Sequence, residues 1–404
     1  MSETNKAQPA RLSGPARGWF NVGIMGVGHF FADFYCDILP ILLPVLAKRF
    51  GLSYSECGAL FMGFQVIASF LQPPIGLYAD RHSINWIMPL SIVTGAATVC
   101  IVTLAPSLWL LVLIVLLSGF CSSGFHPVAG GIVPHVSPPG KDVLATSIFI
   151  AGGNIGFAVA PLIVAIFLDH FSDSDLPWLI LPAVFTAALI LCRRLHVKTT
   201  VSASAAALPK VRDIVRNRQF MLLTLSIGLR SWCYCALLMY LPLLLTATGH
   251  DSVDQASAVM TMLLGTAFGG LAVGTAALRI GLKRTIVGSF VVSLLCCAYF
   301  VWHPDLSFAA LLALFLTGAG LYGSTPAAIV WAERLLSRSA AAFATSMMLG
   351  FTFGIGYMLS VITGWIGDLG GLQFGLAVTV LPSLFAGLVL LFWLKEPEDR
   401  EVLN

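Results

Sequence analysis

His29, Asp33 and Asp37 are each four residues apart, so a helix carries all three on one face. They lie in the first apolar run, about residues 19–47. An ionisable side chain in hydrocarbon costs at least about 2.5 kcal/mol, so such residues face a protein interior or a wet cavity. Imidazole titrates near neutral pH, and a carboxylate can take up a proton when its surroundings change. Proton uptake and transfer is the chemistry this trio could perform, with Asp33 near the middle of the span and Asp37 toward its outer surface. The plainer reading is a buried network that only ties helices together.

Two more ionisable residues fall inside apolar runs. His126 precedes Pro127, and Arg230 has Tyr234 one turn away. With a rise of about 1.5 Å per residue, Asp33 and Arg230 come near the midplane, while His126 falls roughly 9 Å toward the cytoplasm, in the same half as His29. Arginine keeps its charge in a protein, so Arg230 needs an anion. That anion is either a fixed partner such as Asp33 or a transported oxyanion, for which the planar fork is suited. Asn154, Gln65, Tyr322 and Thr325 could complete a polar cavity, although a lone amide in a membrane helix serves equally well as a tie between helices.

The elements that must hold these residues follow from composition. Of 404 residues, 58% are hydrophobic and 10% charged, against about 25% charged in soluble domains. A span needs about 20 apolar residues. Twelve candidates satisfy this, near 19–47, 54–78, 86–106, 108–131, 143–168, 176–192, 219–246, 255–278, 286–302, 306–331, 341–365 and 372–394. The expected organisation is an N-terminal tail (1–18), a six-helix half (19–192), a basic linker (193–218) that could hold a short surface helix, a second half (219–394) and a C-terminal tail (395–404). With both ends cytoplasmic, 19 of the 22 Lys and Arg fall inside, two outside (Lys48, Arg49) and one within a span (Arg230), as the positive-inside rule requires. The polar N-terminal tail is not read as a cleaved signal. The nine cysteines read as small apolar fillers. A net charge of +3 gives no reason to expect a nucleic-acid partner.

The halves repeat each other. Ser118-Gly119, Gly124 and Pro127 recur 199 residues later as Thr317-Gly318, Gly323 and Pro326, and Ala145-Thr146-Ser147 recurs as Ala344-Thr345-Ser346. Small residues and proline at matching depth predict close packing and a bend in spans four and ten. Spans three, six, nine and twelve have no ionisable residue in their interiors and so suit the lipid-facing places. The expected class is an all-α integral membrane protein of twelve transmembrane helices in two pseudo-symmetric six-helix halves, with a site between them at mid-membrane. This is the major facilitator plan.

Two further motifs suggest gating. Gly76-Leu77-Tyr78-Ala79-Asp80-Arg81 closes span two on the cytoplasmic side. It sets a carboxylate where it can meet the positive start of span eleven, although an ordinary charged turn explains it too. Gly152-Gly153-Asn154-Ile155-Gly156 with Pro161 makes a glycine-rich span five, which serves close packing, a hinge or a seal against proton leak.

The stretch His29 to Asp33, the run Phe64-Gln65 through Leu71-Gln72-Pro73-Pro74-Ile75-Gly76 to Asp80, Ser122-Ser123-Gly124-Phe125-His126-Pro127, and Ser147-Ile148-Phe149 to Gly156 together resemble the bacterial fosmidomycin resistance family, drug efflux pumps of the major facilitator superfamily. Gly76 to Arg81 resembles the superfamily's signature between spans two and three, and Gly156 to Pro161 loosely resembles the antiporter signature. The loop signature departs from the pattern at His82-Ser83-Ile84. Its second-half counterpart, Gly274 to Arg284, has Leu278 where an acid is usual, and Ala160 stands where the antiporter signature has glycine. The resemblance implies proton-driven export of a small anionic compound by a multi-pass protein of the bacterial inner membrane. No cofactor is expected, and the expected partners are substrate, protons and lipid, with the chain acting as a monomer. In site terms, His29, Asp33, Asp37 and His126 are the proton-coupling candidates. Arg230, Tyr234, His126, Asn154, Gln65 and Tyr322 are candidates for substrate contact, and Gly76, Asp80, Arg81, Gly156 and Pro161 for gating. Proton-coupled import of an organic anion would use the same residues. Transport of a metal or its chelate would draw on His29, His126 and Asp33 with Cys36 and Cys121, although the cysteines lack ligand spacing. An enzyme is not expected, since neither a His-Glu-x-x-His helix nor a Gly-x-Ser-x-Gly elbow occurs.

Overall fold

Proline placement explains where the long helices break. In a computed structural model that describes residues 15–81, 84–139, 142–195, 216–336 and 347–396, these residues are helical or in short connections. Span one is two helices, Pro15–Cys36 and Ile38–Phe50. Pro40 has no N–H to offer the Cys36 carbonyl, and its ring crowds that oxygen, so the helix yields at Asp37. Span four breaks likewise between Leu108–Ser122 and Phe125–Val136, four residues before Pro127. Span ten breaks between Phe308–Gly323 and Thr325–Leu335, with Pro326 in the first turn of the second piece. The bends expected in spans four and ten are present, and the one in span one was not anticipated.

The other spans are Tyr54–Arg81 (two), Ile87–Cys100 (three), Asp142–His170 (five), Ile180–Cys192 (six), Arg218–Ala247 (seven), Ser252–Ile280 (eight), Leu282–Trp302 (nine), Thr352–Gly370 (eleven, preceded by a π-turn at Met347–Phe351) and Leu372–Phe392 (twelve). Among the described residues, ten segments are long and apolar enough to cross a membrane. Spans eight and eleven complete the twelve. Most of the linker, 196–215, lies outside the described residues, and with it the expected surface helix.

Within the first half span one packs on span five and span two on span four. Within the second, span seven packs on eleven and twelve, and span eight on ten. The halves meet mainly where span two faces eleven and span five faces eight. Repeat glycines set these distances. An added Cβ at Gly119 would strike the Phe64 carbonyl of span two, and one at Gly318 the Met262 carbonyl of span eight. Spans six, nine and twelve turn large apolar side chains outward, among them Phe185, Leu295 and Phe385, as lipid-facing helices do.

Candidate functional site

Asp33 is the centre of a three-residue cluster drawn from spans one and four. Its Oδ1 lies 2.6 Å from His126 Nε2 and its Oδ2 lies 3.3 Å from His29 Nε2. The helical spacing of four supplies the His29 contact. The break at Ser123–Gly124 brings in His126, whose ring centroid is 5.1 Å from that of His29. His29 also stacks on Phe149 at 4.1 Å, and its Nδ1 lies 2.8 Å from the Phe149 carbonyl. A carbonyl only accepts, so His29 Nδ1 carries a proton and its Nε2 is left to Asp33. That contact is attractive only when a proton lies between the two, on either side of it. His126 Nδ1 is buried without an acceptor, so a second proton on that ring would find no partner. The cluster can therefore hold a proton between span one's own two side chains, with His126 fixing the other carboxylate oxygen.

The three ligand atoms lie within 4.8 Å of one another, near enough for one cation. The direct 2.6 Å contact between Asp33 and His126 occupies one edge of such a site. The geometry suits proton exchange as it stands, and a metal ion would have to part that contact.

Gly153 of span five makes room for the cluster. A Cβ there would lie 2.5 Å from both Asp33 Oδ2 and His29 Nε2. Gly152 and Gly156 press against the Gly26 and Phe30 carbonyls of span one, so the glycine-rich run is at least a packing face. Pro161 is buried inside the same helix.

Arg230 is the second pole. It is 1% exposed, and its Nη1 donates to Ser324 Oγ at 2.8 Å and Thr325 Oγ1 at 3.0 Å, at the break of span ten. Its Nε is buried without an acceptor, and no carboxylate among the described residues pairs with it. Of the two anions considered for Arg230, the fixed partner Asp33 is not paired with it here, because both carboxylate oxygens are committed to histidines of their own half. Thr325 lies 199 residues after His126, at the repeat offset. In each half, then, the residue just past the break of the fourth helix holds the charged residue of the first. The first half places a carboxylate there and the second a guanidinium.

Tyr234, Tyr322 and Phe353 form an aromatic cluster around Arg230, with ring centroids 5.5–5.9 Å apart. The Tyr322 hydroxyl is within electrostatic reach of both Arg230 and Asp33. Gln65 is buried without a described side-chain partner, and Asn154 is exposed beside Gly153. Asp37 is fully buried at the break of span one, both carboxylate oxygens lacking a hydrogen-bond partner. Gly76, Asp80 and Arg81 end the span-two helix, and their side chains lie outside the described residues. Gly153, the Phe149 carbonyl and Ser324 are the contributors that sequence reasoning did not single out. Gly153 was visible only as one glycine in a run of several.

The model for the Major Facilitator Superfamily matches residues 25–263 and 244–404. The fosmidomycin resistance protein of Escherichia coli (strain K12) is 23% identical over 379 residues, covering 91% of this chain and 92% of that one. The MFS-type transporter YfnC of Bacillus subtilis (strain 168) is 26% identical over 372 residues, covering 89% and 90%. Among solved structures, a form of the nucleoside transporter NupG aligns with a TM-score of 0.74 at 18% identity, covering 92% of this chain and 98% of that one.

Proposed function

The chain belongs to the major facilitator superfamily, and from that premise we propose that it is a secondary transporter that exports a small anionic compound in exchange for protons. Asp33 and His29 take and release the coupling proton, with His126 holding the carboxylate. Arg230 receives the anion, and Tyr234 and Tyr322 flank it. Gln65 and Asn154 complete the polar cavity around them. The reading rests above all on Arg230, a buried guanidinium whose described partners are two neutral hydroxyls. A charge that cannot be shed and has no fixed counter-ion asks for a mobile one.

Keeping Asp33 away from Arg230 gives the proton and the anion separate seats within electrostatic reach of one hydroxyl. A protonated cluster and a filled anion seat then favour different access states, which is what exchange needs. The excess of Lys and Arg in the loops assigned to the cytoplasm supports both ends lying inside a bacterial inner membrane. Asp80, Gly76 and Arg81 are proposed to govern closure of the inner end, and Gly156 with Pro161 to act as a hinge or a seal against proton leak where the halves meet.

The test is export from a pump-deficient bacterium expressing the chain, against a panel of toxic small anions, cations and neutral compounds. Protection confined to anions, and abolished by collapsing the proton gradient, is expected. Protection against cations alone would overturn the anion assignment.

A further inference from the structure

The start of span two is held by a residue of the other half. A helix leaves its first four N–H groups without internal partners. Here Ser53 and Glu56 form a local cap. The Glu56 N–H reaches Ser53 Oγ at 3.2 Å, and the Ser53 N–H reaches Glu56 Oε2 at 2.8 Å. The next donors are satisfied from outside the half, for the Tyr54 and Ser55 N–H groups donate to Oδ1 and Oδ2 of Asp368 at 2.6 and 3.1 Å. Asp368 sits in the last turn of span eleven (Thr352–Gly370). There a carboxylate faces the negative end of its own helix, an unfavourable place unless another positive end compensates. The start of span two supplies it.

The same end of the bundle is wedged as well as capped. Tyr240 of span seven inserts its hydroxyl between Gly58 of span two and Gly364 of span eleven, so that a Cβ at either glycine would strike it. A Cβ at Gly364 would also lie 2.7 Å from the Tyr54 carbonyl. Cys57 is 0% exposed beneath this junction, within electrostatic reach of Asp368 and Tyr240.

We infer that Asp368, clasping the start of span two, is a latch that keeps this end of the transporter shut, with Tyr240 as its bolt between Gly58 and Gly364. The proposed orientation puts that end outside. Transport by alternating access requires spans two and eleven to part here. The Asp368 contact lies at the surface, so the parted carboxylate and N–H groups find water, and the latch is reversible. The inference does not depend on substrate, on coupling ion or on orientation.

The test uses the purified full chain in detergent, with maleimide modification of each cysteine read by peptide mass spectrometry. In the wild type Cys57 reacts slowly. Asp368→Ala is expected to raise its rate at least about tenfold, equivalent to about 1.4 kcal/mol. Asp368→Asn, which keeps one acceptor, falls between. Glu56→Gln removes the other carboxylate beside Cys57 without touching the clasp, so any gain there measures the effect of lost negative charge on the thiol alone and stays well below that of Asp368→Ala. Cys233 and Cys297, both buried in the second half, report unfolding and stay protected throughout. Wild-type Cys57 protection in both Asp368 variants would overturn the latch. So would an equal gain in Glu56→Gln, or Cys57 exposure only in step with Cys233.

Discussion

Thr325 holds Arg230 at the position where, 199 residues earlier, His126 holds Asp33. The two halves thus use one scaffold, a broken fourth helix receiving a charged residue from the first, to present opposite charges. The repeat offers the geometry twice, and the sequence differs where the chemistry must. Histidine opposite a carboxylate can share a proton. A hydroxyl opposite a guanidinium donates nothing to it and leaves its charge uncancelled.

Asp33→Asn is expected to abolish transport driven by a proton gradient while the protein still folds and binds substrate. The amide keeps the shape of the carboxylate and loses the proton site. Substrate counterflow without a gradient, compared with gradient-driven transport in the same vesicles, separates the two effects. Intact gradient-driven transport would remove Asp33 from coupling.

Arg230→Lys is expected to weaken substrate binding by roughly tenfold to a hundredfold, since charged hydrogen bonds are worth about 1.5–3 kcal/mol and a point charge replaces a fork. Arg230→Ala weakens it further. Because Asp33 and Arg230 are not paired, adding Asp33→Asn to Arg230→Ala restores nothing. Substrate affinity by calorimetry in the single and double variants decides this, and recovery in the double variant would show that the two residues do pair in a working state.

Gly153→Ala tests the room beside the cluster. Its methyl would stand 2.5 Å from Asp33 Oδ2 and His29 Nε2. Both are ends of side chains, so the fold can accommodate the methyl while the cluster cannot keep its arrangement. Transport is expected to fall roughly tenfold to a hundredfold, as misplacement on the scale of 1 Å does at reacting groups, with the melting temperature little changed. Gly130→Ala, where an added Cβ meets nothing within 4 Å, is the control and retains transport.

If Asp80 governs closure of the inner end as proposed, Asp80→Ala is expected to make the cytoplasmic end easier to open. Labelling of a single cysteine placed in the inner cavity should speed up from the cytoplasmic side. Equal labelling in all transport states would argue for an ordinary charged turn.

The parts legible in the sequence were those with a local period. Apolar runs gave the spans, the 199-residue offset gave the halves, and four-residue spacing gave the His29–Asp33 contact. Depth counting put His126 in the same half of the membrane as His29, and their rings do meet. Partner choice was not legible. A midplane carboxylate and a midplane guanidinium look like a pair until the helix breaks decide which neighbour each reaches. The break at Asp37 could have been read from Pro40, but a proline near the end of an apolar run also reads as ordinary punctuation. The clasp between Asp368 and span two joins residues more than 300 positions apart and leaves no short-range trace.

The yielding point at Asp37 divides the allegiance of span one. Below it, Pro15–Cys36 packs on spans five, three and six of its own half. Above it, Ile38–Phe50 also lies against span seven of the other half. One continuous chain is thus fastened to both moving bodies, like a limb with its knee at a buried carboxyl group. When the halves rock, the upper piece must either swivel at that knee or slide along span seven. In either case the surroundings of a side chain that has no hydrogen-bond partner in this arrangement change with every stroke.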